Sequence, residues 1–100
     1  MLETRRLNSK DKVIITASLT GAVTTKKDNP NLPTQPEEIC ESALRCYEAG
    51  AAVVHIHVRD EQDNASMRFD IFEKTVGLIK KTGCPVLLNL TSSGGQGFSW

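Results

Sequence analysis

Excess charge of either sign is missing from this chain: twelve Lys and Arg balance twelve Asp and Glu over 100 residues. That balance removes the electrostatic reason to expect DNA, RNA or an anionic membrane surface as partner. Long apolar runs are missing too, since none approaches the roughly 20 residues that span a bilayer. The first six residues, Met1 to Arg6, carry neither the apolar stretch nor the small-residue cleavage site of a signal peptide. Cysteine is sparse and odd in number. Cys40, Cys46 and Cys84 form no Cys-x-x-Cys pair, so neither a disulfide framework nor a thiolate zinc site is expected, and a reducing cytoplasm is the expected compartment. No G-x-G-x-x-G, P-loop or nucleophile elbow is present. What remains is ordinary for a globular chain: 39% hydrophobic and 24% charged residues.

Within that composition the order of elements is readable. Lys12 to Leu19, with β-branched Val13, Ile14 and Ile15, predicts a buried strand that Thr20 and Gly21 end. Ala22 to Pro33 is a polar loop, long enough to suggest function. Thr34-Gln35-Pro36-Glu37 predicts a helix start, with Thr34 as cap and Glu37 at the capping-box position. Ile39, Ala43, Cys46 and Tyr47 recur at helical spacing until Gly50. Ala51 to Val58 predicts a second strand and Asp60 to Met67 a polar loop. A second helix carries Asp70 and Glu73 as a capping box, with Phe72, Val76 and Ile79 as its stripe, and Gly83 and Pro85 end it. Val86 to Leu90 is a third strand, followed by the Ser- and Gly-rich loop from Thr91 to Gly97. Strand, helix, strand, helix, strand predicts parallel pairing and an α/β architecture. Three strands alone leave bare edges, so residues 1–100 read as one domain that forms the N-terminal portion of a larger α/β fold.

The strand period of two then sorts the polar groups. Val53, His55, His57 and Arg59 share one face of strand two, while Val54, Ile56 and Val58 share the other. Thr16, Ser18 and Thr20 repeat the pattern on strand one, as do Asn89 and Thr91 on strand three. All lie toward the C-terminal ends of their strands, where α/β folds bind ligands. His55 and His57 are the sharpest signal. Neutral imidazoles two residues apart on one face can converge on a cation such as zinc, copper, iron or nickel, and equally can be two hydrogen-bonded core histidines. No third ligand is evident. Arg59 and Asp60 offer a rim ion pair, Arg68 an anion clamp, and the hydroxyls and free N–H groups after Thr91 a cradle for carboxylate or phosphate.

Read in order, Thr20-Gly21-Ala22, Asn31-Leu32-Pro33, Thr34-x-Pro36-Glu37-Glu38, Glu48-Ala49-Gly50-Ala51, His55-x-His57-x-Arg59-Asp60, and Asn89-Leu90-Thr91 with Gly94-Gly95 make up most of the chain. Together they resemble the N-terminal part of the β-keto acid cleavage enzymes, of the 3-keto-5-aminohexanoate cleavage type. The resemblance implies a TIM (β/α)8 barrel, of which this chain carries the first three strands and two helices. It also implies a divalent metal, usually zinc, held by His55, His57 and a glutamate from a late strand. The implied reaction joins a β-keto acid with acetyl-CoA and releases acetoacetate and a new CoA ester, with zinc polarising the keto oxygen. Thr91 falls where the family places a substrate-contacting hydroxyl, and Gly94 or Gly95 where backbone receives the substrate carboxylate. The catalytic residues are expected beyond residue 100.

Two departures from the family pattern bear on specificity. The aminohexanoate-cleaving type carries Glu directly after Thr-Gly-Ala; Val23 here implies a neutral or apolar acyl group and is expected to line its pocket, the alternative being an exposed loop valine. The substrate loop reads Thr91-Ser92-Ser93-Gly94-Gly95 instead of the commoner Thr-Thr-Gly-Gly-Gly. A β-keto acid, acetyl-CoA and a second copy of the chain are the expected partners. The competing reading is a non-catalytic fragment or metal-binding partial barrel that needs further chain, because two protein ligands are fewer than the three usual in catalytic zinc sites.

Overall fold

The computed structural model describes residues 13–91. They form β1 (Thr16–Ser18), α1 (Pro36–Glu48), β2 (Val53–Ile56), β3 (Val58–Arg59), β4 (Ala65–Ser66), α2 (Phe69–Lys81) and β5 (Leu87–Leu90). Three strands make a parallel sheet in the order β1-β2-β5, and β3-β4 form a separate antiparallel pair. The α/β alternation and the parallel pairing are as predicted. Among the described residues no helix is long and apolar enough to cross a membrane.

Register sorts the sheet into rows. Ala17, Val54 and Leu88 stand side by side, as do Ser18, His55 and Asn89. The first row faces the helices. Val54 and Ile56 are fully buried in one core cluster with Ile39 and Ala43 of α1, Ile71, Phe72 and Ile79 of α2, and Val58 and Val86; Ala17 and Leu88 pack against it. Removing this much aliphatic surface from water is the main force holding helices to sheet, at about 25 cal/mol per Å². The second row lies on the opposite face, away from both helices.

Several predicted boundaries move. The strand expected over Lys12–Leu19 is regular only over Thr16–Ser18, and Val13, Ile14 and Ile15 are exposed. The register with the neighbouring strand starts at Thr16 and Val53; of the earlier residues Ile15 still joins it through its carbonyl, which accepts from the Ala52 and Val53 N–H groups at 2.9 and 3.2 Å. Strand two stops at Ile56, and Val58–Arg59 turns away to pair with Ala65–Ser66 inside the segment expected to be loop. The Asp60 carboxylate holds that turn by accepting from the Gln62 and Asn64 N–H groups, and Asp63 takes a left-handed φ of 65°. Two-residue strands are too short for alternation to reveal. The second helix is capped at Arg68, two residues before the expected Asp70 cap of the Asp70–Glu73 box, and Asp70 pairs with Arg68 instead.

Helix α1 begins with Pro36 at its first position, so its cap is Gln35, not Thr34. The reaching-back acid is therefore Glu38, not Glu37. Its Oε1 accepts from the N–H groups of Thr34 and Gln35 at 3.1 Å each, and its other oxygen meets Lys26 Nζ at 3.1 Å. These bonds, the Thr34 N–H foremost, pull the Glu38 carboxyl from the ordinary 4.5 to about 2. A folded-state value below the unfolded one gives stability that is complete above about pH 4.5 and is lost as pH falls toward 2. Because this side chain is 45% exposed, solvent screening limits the contribution to about 1 kcal/mol. Glu38→Gln should lower the urea midpoint near neutrality and flatten its fall between these pH values. Parallel pH profiles for the two proteins would exclude the cap from acid stability.

Cys40, Cys46 and Cys84 are free thiols. Cys40 lies partly buried against the core, which pushes its thiol up.

Candidate metal and substrate site

Parallel strands put their C-terminal ends on one edge, and the polar row sits there. Ser18 closes β1, His55 is next to last in β2, and Asn89 is next to last in β5. The chain continues this edge past β2, placing His57 beside His55 with ring centroids 5.0 Å apart and planes 74° to one another. Both imidazoles are half-buried. The structure thus brings the two predicted ligands together on the predicted face.

Two further observations bear on what they can hold. The His55 Nδ1 lies 3.0 Å from Asn89 Oδ1. An amide oxygen only accepts, so Nδ1 carries the proton and the lone pair is left on Nε2. Burial first, then the neighbouring His55 and Arg59, lowers the His57 pKa, which favours the neutral imidazole that a cation needs. Imidazoles sharing one ion at about 2.0–2.1 Å per nitrogen stand about 5 Å apart centre to centre, so the observed spacing fits a bidentate pair. Among the described residues no group of three or more His, Cys, Asp or Glu side chains converges, so the pair supplies two donors and no more.

The other expected residues divide. Thr91 follows β5 on this edge, is 8% exposed, and its N–H donates to the Ile56 carbonyl at 3.0 Å, tying the end of β5 between the two histidines. Val23 stands in the β1–α1 loop, 83% exposed. Gly94 and Gly95 lie outside the described residues. Arg68 is no anion clamp, because its guanidinium is taken up by Glu61 at 2.8 Å and Asp70 at 2.7 Å.

Arg59 departs furthest from expectation. It does not pair with Asp60; its side chain is 2% exposed and turns inward. Nε and Nη2 donate to the Gly21 carbonyl at 3.3 and 3.0 Å, Nη2 also to the Thr24 carbonyl at 2.7 Å, and Nη1 to the Asp63 carbonyl at 3.0 Å. Backbone acceptors leave no mark in a sequence, whereas an adjacent Asp does, so the ion pair was the visible option. The Asn89 contact was half visible: alternation put Asn89 on the inward face, and only the β2–β5 register supplies its partner.

A family model described as beta-keto acid cleavage enzyme matches residues 12–99. The chain is 41% identical over 85 residues to a 3-keto-5-aminohexanoate cleavage enzyme of Acetoanaerobium sticklandii, covering 85% of this chain and 31% of that protein. It is 39% identical over 90 residues to a 3-dehydrocarnitine:acetyl-CoA trimethylamine transferase of Rhizobium meliloti, covering 89% of this chain and 30% of the relative. It is 36% identical over 83 residues to a 3-oxoadipate:acetyl-CoA acetyltransferase of Cupriavidus necator, covering 83% and 29% respectively. The chain therefore spans under a third of the length of the curated relatives it matches.

Proposed function

Because this chain belongs to the beta-keto acid cleavage enzyme family, we propose that the whole protein takes a β-keto acid and acetyl-CoA and yields acetoacetate and a new CoA ester. The observation that carries the reading is the Ser18–His55–Asn89 row with His57 beside it, at the C-terminal edge of a parallel sheet. Two relatives named for acetyl-CoA transfer support an enzyme over a binding-only partial barrel. The sequential order β1-β2-β5 supports a (β/α)8 barrel for the complete fold. So does an apolar depression lined by Met67, Phe69, Phe72, Val76 and Leu90, which a following strand and helix would bury.

In this reading His55 and His57 hold a divalent cation, Zn²⁺ by preference, through neutral imidazole nitrogens. When bound, the cation supplies a Lewis acid for the keto oxygen. The chain's own residues orient and select. Asn89 keeps the proton on Nδ1 of His55 and so directs Nε2 outward. Thr91, fixed through its N–H, places a hydroxyl at the edge where substrate enters, and Val23 gives an apolar wall that favours a neutral or apolar acyl group over an ammonium group, whose burial without a partner is costly.

A screen of the protein with acetyl-CoA and a panel of β-keto acids, followed by mass spectrometry, should show a new CoA ester with acetoacetate in equal amount. Neutral or apolar acyl chains should be turned over in preference to cationic ones. Metal-loaded protein that converts no β-keto acid would remove this function.

A further inference from the structure

We propose that Arg59 is a positioning residue for specificity: it sets the Gly21–Thr24 turn and, through it, the side chain at position 23 in the loop that leaves the histidine row. Its kinetic consequences rest on the acyl-transfer reading; the clamp itself rests on contacts within this chain.

A guanidinium offers five N–H donors in a rigid fork, and a buried one must satisfy them to offset its desolvation. Among the described residues no carboxylate does so. Three backbone carbonyls do, two of them from the turn that follows β1. Drawing the Gly21 and Thr24 carbonyls toward the guanidinium fixes both ends of the short stretch that carries Val23, whose side chain projects outward. Further bonds restrain the rest of the loop. Thr20 Oγ1 donates to the Pro33 carbonyl at 2.6 Å, and Lys26 Nζ donates to the Leu32 carbonyl at 2.8 Å.

The turn also borders the site. Ser18 is registered with His55, and the Leu19 N–H donates to the His55 carbonyl at 3.4 Å, so the chain enters the turn directly from the histidine row. Arg59 itself lies two residues beyond His57. One side chain therefore links the segment carrying the candidate ligands to the segment carrying the candidate selector. Lysine would keep the charge but lacks the planar fork that engages three carbonyls together.

The test uses Arg59→Lys, Val23→Ala, their double variant and Gly21→Ala in the metal-loaded protein. For Arg59→Lys, faster deuterium exchange over residues 20–26 and unchanged metal content are expected. KM for the preferred β-keto acid should rise about tenfold with a much smaller fall in kcat. The selectivity change that Val23→Ala produces between a small and a large acyl substrate should shrink at least about threefold in the Arg59→Lys background. If Arg59→Lys does not fold, Gly21→Ala carries the same reading. Gly21 holds φ at +74°, where alanine is strained, so the carbonyl that takes two guanidinium bonds shifts while the buried charge stays. Equal Val23→Ala effects in both backgrounds, or unchanged exchange over residues 20–26, overturn the proposal. A wild type that turns over no β-keto acid counts against the acyl-transfer reading alone, and the exchange measurement then decides the clamp.

Discussion

Replacing His57 with alanine is expected to strip the protein of the divalent metal proposed for it and to abolish nearly all turnover. The pair supplies two donors, so in the proposed site the change halves what the described residues contribute. Losing an outer partner of a metal ligand costs about 10–100-fold in affinity, and losing the ligand itself costs more. His57 is half-buried and, among the described residues, its one aromatic ring contact is with His55, so the fold should persist and circular dichroism should stay unchanged. Elemental analysis of wild type and His57→Ala decides the matter. Stoichiometric metal in the variant, or none in the wild type, ends the claim.

The second large effect is expected from beneath the site. Ile56 lies between the two histidines in sequence, points to the opposite face and is fully buried in the core cluster. Ile56→Ala should destabilise the protein by about 2–5 kcal/mol, and Ile56→Val by about 0.5–1.5, the difference reflecting the cavity left behind. Urea unfolding measures both. The alanine variant should also bind metal more weakly with both donors intact, because the strand that aims them has lost its anchor. A cost for Ile56→Ala within about 0.5 kcal/mol of zero would mean that this face is not packed as described.

Which features the sequence revealed follows from how far each signal reaches. Strand alternation is local, so the split between His55 with His57 and Val54 with Ile56 was legible without a structure. Pro36 and Gly50 mark α1 for the same reason, and the error of one residue at its cap comes from crediting Thr34 over the residue that the Pro36 ring itself selects. The chain of short motifs identified the family, and the match over residues 12–99 agrees. Contacts between distant segments were not legible. The Asn89 amide reaches His55 only through the β2–β5 register, and Arg59 spends its donors on carbonyls that every residue possesses. Val13, Ile14 and Ile15 misled for a related reason: a β-branched run shows strand tendency, but whether a neighbour lies alongside depends on where another strand starts.

The central place of β2 in the sheet has a bearing on the order in which this chain can fold. Residue 16 meets residue 53, and residue 53 meets residue 87, so each pairing must close a loop that contains a whole helix. Non-local closures of this kind carry an entropic cost before any contact repays it, and they slow folding relative to local pairing. The β3–β4 hairpin, whose partners are only a few positions apart, faces no such barrier. Ser18, His55 and Asn89 come from three different strands and share a row only after both long closures are complete. A chain with one crossover formed already has its two histidines, but it lacks either the β1 edge or the amide that orients His55.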